Sequence, residues 1–237
     1  MTPRHANPRW TLTAITLALL LAPHSHAQEA PQGVLVDQVI AVVNGDLILE
    51  SDVDEERRFE AFQPFRDPAG PMSRDAIVNR LIDRTLILQQ AKLQPDDRVT
   101  IPEAQAQLAT VRKEIPACKE FHCETDAGWR KFVQSHGFTV PQLEELWRQR
   151  MEILKFIEFR FRAGIRVTPA EIKTYYDKTL VPELARQNTA PPTLDAVSDR
   201  IQEILLQQRV GSLLIDWLTS LKAQGTVRIM KPGEEAP

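Results

Sequence analysis

The chain has 237 residues, of which 43% are hydrophobic and 26% charged, with a formal net charge of −3. That length allows one large or two small domains with a sizeable core. A weakly acidic, mixed charge pattern excludes the basic footprint of a nucleic-acid binder, so the charges read as solvated helix faces.

Residues 1–27 read as a leader rather than as part of the fold. Arg4 and Arg9 supply a positive start, Leu12–Ala22 an apolar stretch, and Ser25-His26-Ala27 a small-x-small cleavage site. An uncleaved anchor is the alternative, but about 20 apolar residues are needed to span a bilayer and this stretch is shorter. No cysteine stands directly after the site, which argues against a lipoprotein, and no other segment is apolar enough to cross a membrane. Cleavage after Ala27 removes Arg4 and Arg9 and no acidic residue, leaving a more acidic, exported, soluble chain. In a cell with two membranes its place is the periplasm.

Next comes Val36–Asp54, V-D-Q-V-I-A-V-V-N-G-D-L-I-L-E-S-D-V-D. Asn44-Gly45 tolerates the positive φ angles of a type I′ turn and is flanked by apolar β-formers, which predicts a hairpin over Val39–Leu49. Ser51, followed by Asp52 and Asp54, predicts an N-cap and a helix immediately afterwards. That helix carries Phe59, Phe62 and Phe65 at three-residue spacing among charges.

From there the chain is written as helices. Ser73 precedes an apolar face of Ile77, Val78, Leu81, Ile82, Leu86 and Leu88. Thr100-Ile101-Pro102-Glu103, Thr139-Val140-Pro141-Gln142 and Thr168-Pro169-Ala170-Glu171 are three capping boxes, in which the Thr hydroxyl takes one orphan N–H and the N3 side chain reaches back to another. Val99 and Val167 stand where a hydrophobic staple would. The first box opens a helix with Leu108, Val111 and Ile115 inward. The second opens a long one with Leu143, Leu146, Trp147, Arg150, Met151, Leu154 and Ile157, closed by Gly164. Between them Trp129, Phe132 and Val133 mark a short helix that stops at His136-Gly137. The third box opens Ile172–Leu180. Arg186–Pro192 is a polar, Pro-bearing joint, and Leu194–Ala223 is one more long helix, capped by Gly225. Thr226–Met230 then reads as a final strand stopped by Pro232. Its only β-partner in sight is the hairpin, so the expected fold is mainly α, with a small antiparallel sheet made by the N-terminal hairpin and the C-terminal strand.

Cys118 and Cys123 lie in P-A-C-K-E-F-H-C-E-T-D, a stretch with helix breakers and caps at both ends. A disulfide closing this loop suits an oxidising compartment. A metal site recruiting His122 is the other reading, but C-x4-C is not the usual zinc spacing and a fourth local ligand is missing. We therefore expect a disulfide and no metal.

The wording of Val36–Asp54 resembles the opening of the SurA-type periplasmic chaperones, where a hairpin of the form V-x-x-V-x-A-V-V-N-x-x-x-I-x-x-S-D-V precedes a helical domain. Ile77–Asp83 through Leu88–Ala91 is similar to that family's second helix, and Val99–Glu103 and Val167–Glu171 to its helix openings. Glu171–Tyr176 resembles the helix leading into a parvulin prolyl-isomerase domain, and Pro191–Val197 through Trp217-Leu218 the helix that follows one. The resemblance implies a single chaperone domain over residues 28–237. Its hairpin and helices lie over 36–184, and 193–230 complete the same domain. The departure is between Leu184 and Thr193, where the family inserts the parvulin domain. Only Ala185–Pro192 stand there, and a small domain needs about 50 residues.

No nucleophile, metalloprotease or phosphate-loop motif is present. His136, at a helix end, suits the helix dipole better than catalysis, so we expect no catalytic residues and no cofactor. The resemblance implies an ATP-independent holdase for unfolded outer-membrane or secreted polypeptides. Barrel strands are rich in aromatics and alternate apolar with polar residues, so such a holdase needs an apolar groove. Phe59, Phe62 and Phe65, with Phe156, Phe159 and Phe161, are the candidates for its lining, the bland alternative being that they fill the core. A parvulin-type prolyl isomerase and an envelope scaffold gripping one folded partner are the competing functions. The oligomeric state is left open.

Overall fold

The computed structural model describes residues 37–63, 70–94, 98–231 and 234. The leader, Phe65 and Pro232 lie outside them. Strand β1 (Val39–Val43) turns at Asn44-Gly45 into β2 (Asp46–Leu49), with φ of 50° and 93° at the two turn residues. These are the left-handed angles that Asn and Gly accept most readily. Helix α1 (Glu50–Phe59) follows without a loop. Its N-cap is Leu49, whose N–H donates to the Asp52 carboxylate at 2.7 Å. Ser51 was expected to be the cap. It lies inside the first turn instead, and its hydroxyl donates to Asp37. The helix starts two residues early because Asp52, as N3, satisfies the orphan N–H by itself.

Helix α2 (Arg74–Ala91) is capped by Ser73, which accepts from the Ala76 N–H. It buries Ile77, Val78, Leu81, Ile82, Leu86 and Ile87; Leu88 is only partly covered. The three Thr-headed boxes form and open α3 (Ile101–Val111), α5 (Val140–Ile157) and α6 (Pro169–Tyr175). Helix α4 (Asp126–Ser135) is capped by Thr125 and ends at Gly137, where φ is 76°. A π turn over Glu158–Arg162 prolongs α5, and another over Tyr176–Leu180 joins α6 to α7 (Val181–Arg186). Helix α8 (Leu194–Gln224) leads to β3 (Val227–Ile229).

The sheet order is β2-β1-β3, antiparallel throughout, so the two ends of the described chain meet. Ala41 faces Ile48 on one side and Ile229 on the other. Asn44 secures the junction. Its Oδ1 accepts from the Thr226 N–H at 2.8 Å and its Nδ2 donates to Gln89 Oε1 of α2 at 2.8 Å. Gly225 has an ordinary negative φ. Its role is close approach, because an added Cβ would lie 2.5 Å from Asn44 Oδ1.

Two cores result. The first gathers Phe59, Phe62, Leu108, Trp129, Phe132, Leu143 and Trp147 around the cysteine loop. The second lies under the sheet, where Ile40, Ala41, Val43 and Ile48 meet Val53 of α1, most of the α2 face, Phe156 of α5 and Leu218 of α8. Helix α5 runs from one to the other. The sulfurs of Cys118 and Cys123 stand at disulfide distance and both residues are buried in the first core. Among the described residues no helix is long and apolar enough to cross a membrane.

Candidate functional site: an apolar crevice with an arginine rim

Four helices that are distant in sequence leave a crevice of about 740 Å³. Helix α1 contributes Glu56 and Phe59, α2 Arg80, Arg84 and Ile87, α5 Arg150, Ile153 and Leu154, and α8 Leu214 and Leu218. Most of its surface is apolar, and its volume is in the range of ligand and peptide pockets. Glu56 is 6% exposed and sits between two guanidiniums, accepting from Arg80 Nη1 at 3.2 Å and Arg84 Nη1 at 3.0 Å. Arg84 is further fixed by donating to Gln149 Oε1 at 3.1 Å. A carboxylate buried this deeply requires such partners. Leu154 is 51% exposed at the mouth. On α8, Leu213 and Ile215 are exposed beside Leu214.

The six expected groove phenylalanines separate. Phe59 and Phe62 are 3% and 0% exposed, so Phe62, expected in an accessible groove, is a core residue, and Phe59 is nearly buried as well. Phe62 is the hub of the first core: its ring stands 5.4 to 6.3 Å from those of Phe59, Trp129, Phe132, His136 and Phe138. The charges on α1 occupy its other face, which leaves the aromatic stripe free to turn inward. Phe59 reaches the crevice only as part of its floor. Phe65 lies outside the described residues. Phe156 is buried in the second core against Trp217, and Phe161 packs edge-on to the same indole at 5.5 Å. Among the described ones Phe159 alone is open, at 63% exposure. The π turn that carries it shifts the helix face, so it leaves the buried stripe. It touches a shallow depression with Phe156 and Glu152, apart from the main crevice.

His136 abuts Phe132 and Phe62, with Nδ1 2.9 Å from the Phe132 carbonyl oxygen. His122 is exposed beside Glu124, 3.3 Å away. Neither lines the crevice.

The residues that make the crevice were largely missed in the sequence. The available signal was Arg150, an arginine on the apolar stripe of α5, where a solvated charge does not belong. Glu56 gave no such signal among its charged neighbours.

Comparison with known proteins locates the relatives. No family model matches the chain. The protein called Chaperone SurA of Hydrogenovibrio crunogenus is 25% identical over 210 residues, which cover 83% of this chain and 46% of that one. Chaperone SurA of Alcanivorax borkumensis is 26% identical over 153 residues, 65% of this chain and 33% of its own. Chaperone SurA of Pseudomonas aeruginosa is 23% identical over 158 residues, 67% and 36% respectively. The chain is SurA-like. It spans less than half the length of these curated relatives. In the SurA-like chain, residues 187–193 are all that join α7 to α8.

Proposed function

We propose that this chain is an ATP-independent chaperone that holds unfolded polypeptides in the crevice between α1, α2, α5 and α8. The observation that carries the reading is an apolar crevice of about 740 Å³ lined by exposed Leu154 and partly buried Leu214. A concave, mostly apolar pocket with a few convergent polar groups is the usual form of a binding site. Holding requires only that the unfolded state binds more tightly than the folded one, and mass action does the rest. The relatives' name, chaperone, agrees with this use. In this proposal the work is in the periplasm, which the leader read over residues 1–27 supports, and outer-membrane β-barrel precursors are the clients. Their alternating strands present large apolar side chains at every second position. Residues 28–237 act as one unit in this reading, since β3 completes the sheet that the hairpin begins.

The seven-residue link between α7 and α8 has no room for an isomerase domain at that point. The chain should therefore slow the aggregation of an unfolded barrel protein, without nucleotide, at molar ratios near one. Wild-type protein that fails to delay aggregation of several clients in molar excess would overturn the proposal in favour of a single-partner scaffold. Acceleration of X-Pro isomerisation in a short peptide would instead favour the isomerase reading.

A further inference from the structure

The crevice is apolar, yet its charges do not balance. Its acidic side chains among the described residues are Glu56 and Asp83. Glu56 is occupied by Arg80 and Arg84, and Asp83 by Lys222 of α8. Arg150 is left with no ion pair among the described residues; its guanidinium lies 5.7 Å from the centre of the Trp147 ring. Burial and the Arg80 charge push its pKa below the ordinary arginine value, with Glu56 opposing them and Arg84 adding to them. An arginine stays protonated regardless. Counting Lys222, four positive side chains meet two carboxylates, so the crevice carries an excess of positive charge. Arg150, partly buried, is the member without a carboxylate, where a missing counter-charge is felt more than in water. Ile153 and Leu154 follow Arg150 on the same helix, and Leu214 and Leu218 line the α8 side. The complement of this surface is a carboxylate flanked by large apolar side chains.

We infer that the crevice selects segments of unfolded polypeptide in which an acidic side chain stands beside large apolar ones, with Arg150 pairing the carboxylate. The inference rests on the holdase reading and names the segment that is held. An internal Asp or Glu is the source, not a chain terminus. A holdase meets each client along its whole length, whereas each client has one C-terminus.

The test uses the full mature chain and fluorescent ten-residue peptides, blocked at both ends, with large apolar residues around a central Glu or its isostere Gln. At low salt the Glu peptide should bind about tenfold tighter, the worth of one charge-assisted pair. That preference should shrink at high salt. Arg150→Gln should abolish the preference, and Arg150→Lys should keep part of it. Equal binding of the two peptides to wild type would overturn the inference while leaving the holdase standing. Binding of neither peptide would remove the holdase reading with it. An undiminished preference in Arg150→Gln would exclude Arg150 as the partner. If that variant does not unfold cooperatively in urea, the wild-type and Arg150→Lys comparisons decide. A third peptide, with no acidic residue but a free C-terminal carboxylate, should bind no better than the Gln peptide. If it matches the Glu peptide, the ligand is a chain terminus and the inference fails.

Discussion

At the residue scale, Asn44 and Phe62 show two ways a single side chain organises this fold. Asn44 was legible as a turn residue because φ preference is local. Its bonds to Thr226 and Gln89 join positions 182 and 45 residues away, and no local pattern encodes them. Asn44→Gly keeps the turn angle and loses both bonds, so it should cost about 1–3 kcal/mol in urea unfolding, two hydrogen bonds at roughly 0.5–1.5 kcal/mol each. Asn44→Ala should cost more, because Ala resists the left-handed angle. Phe62 was misplaced for the opposite reason. Three-residue spacing says that rings share a face and leaves open which way the face turns. The structure turns it inward, so Phe62→Ala should destabilise by about 3–5 kcal/mol. A variant that stays within 1 kcal/mol of wild type would return the ring to the surface.

At the scale of elements, the capping boxes were readable because all their groups lie within four residues. They also make a pH experiment. The Thr100 and Thr168 N–H and hydroxyl bonds hold the carboxyls of Glu103 and Glu171 below the usual glutamate range. A carboxylate with a depressed folded pKa contributes stability that is complete above its unfolded pKa, about 4.3, and is lost as pH falls through the folded value. Glu103→Gln should therefore lower thermal stability at pH 7 and make little difference near pH 3. The box at Thr139 uses Gln142, which does not titrate, so Thr139→Ala should cost about 1 kcal/mol at both pH values. A pH-independent cost for Glu103→Gln would show that its charge plays no part. The cysteine loop belongs to this scale too. Mass spectrometry of exported protein without reductant should find it two hydrogens lighter than the reduced chain. Replacing both cysteines by Ser should cost about 2 kcal/mol from the loop closure alone. Free thiols or stoichiometric zinc in exported protein would reverse the assignment.

At the scale of the whole molecule, strand pairing between the two ends was inferable because a terminal strand needs an edge and only one was visible. The crevice was not. It requires α1, α2, α5 and α8 to meet, and the contacts that bring them together are set by two cores whose boundary no periodicity reveals. The same reasoning makes β3 a structural tie: truncation after Gln224 should lower the urea midpoint, because β1 and β2 alone form a marginal pair. The central claim is that unfolded clients occupy the crevice, and site-specific photo-crosslinking tests it most directly. A photoreactive residue placed at Leu154, at the mouth, should capture an unfolded β-barrel protein but not the same protein once folded. The same residue at Leu93, which is exposed outside the crevice, should capture neither. Equal adduct at both positions, or none at Leu154 while aggregation is still suppressed, would contradict the claim and move the client site elsewhere on the molecule.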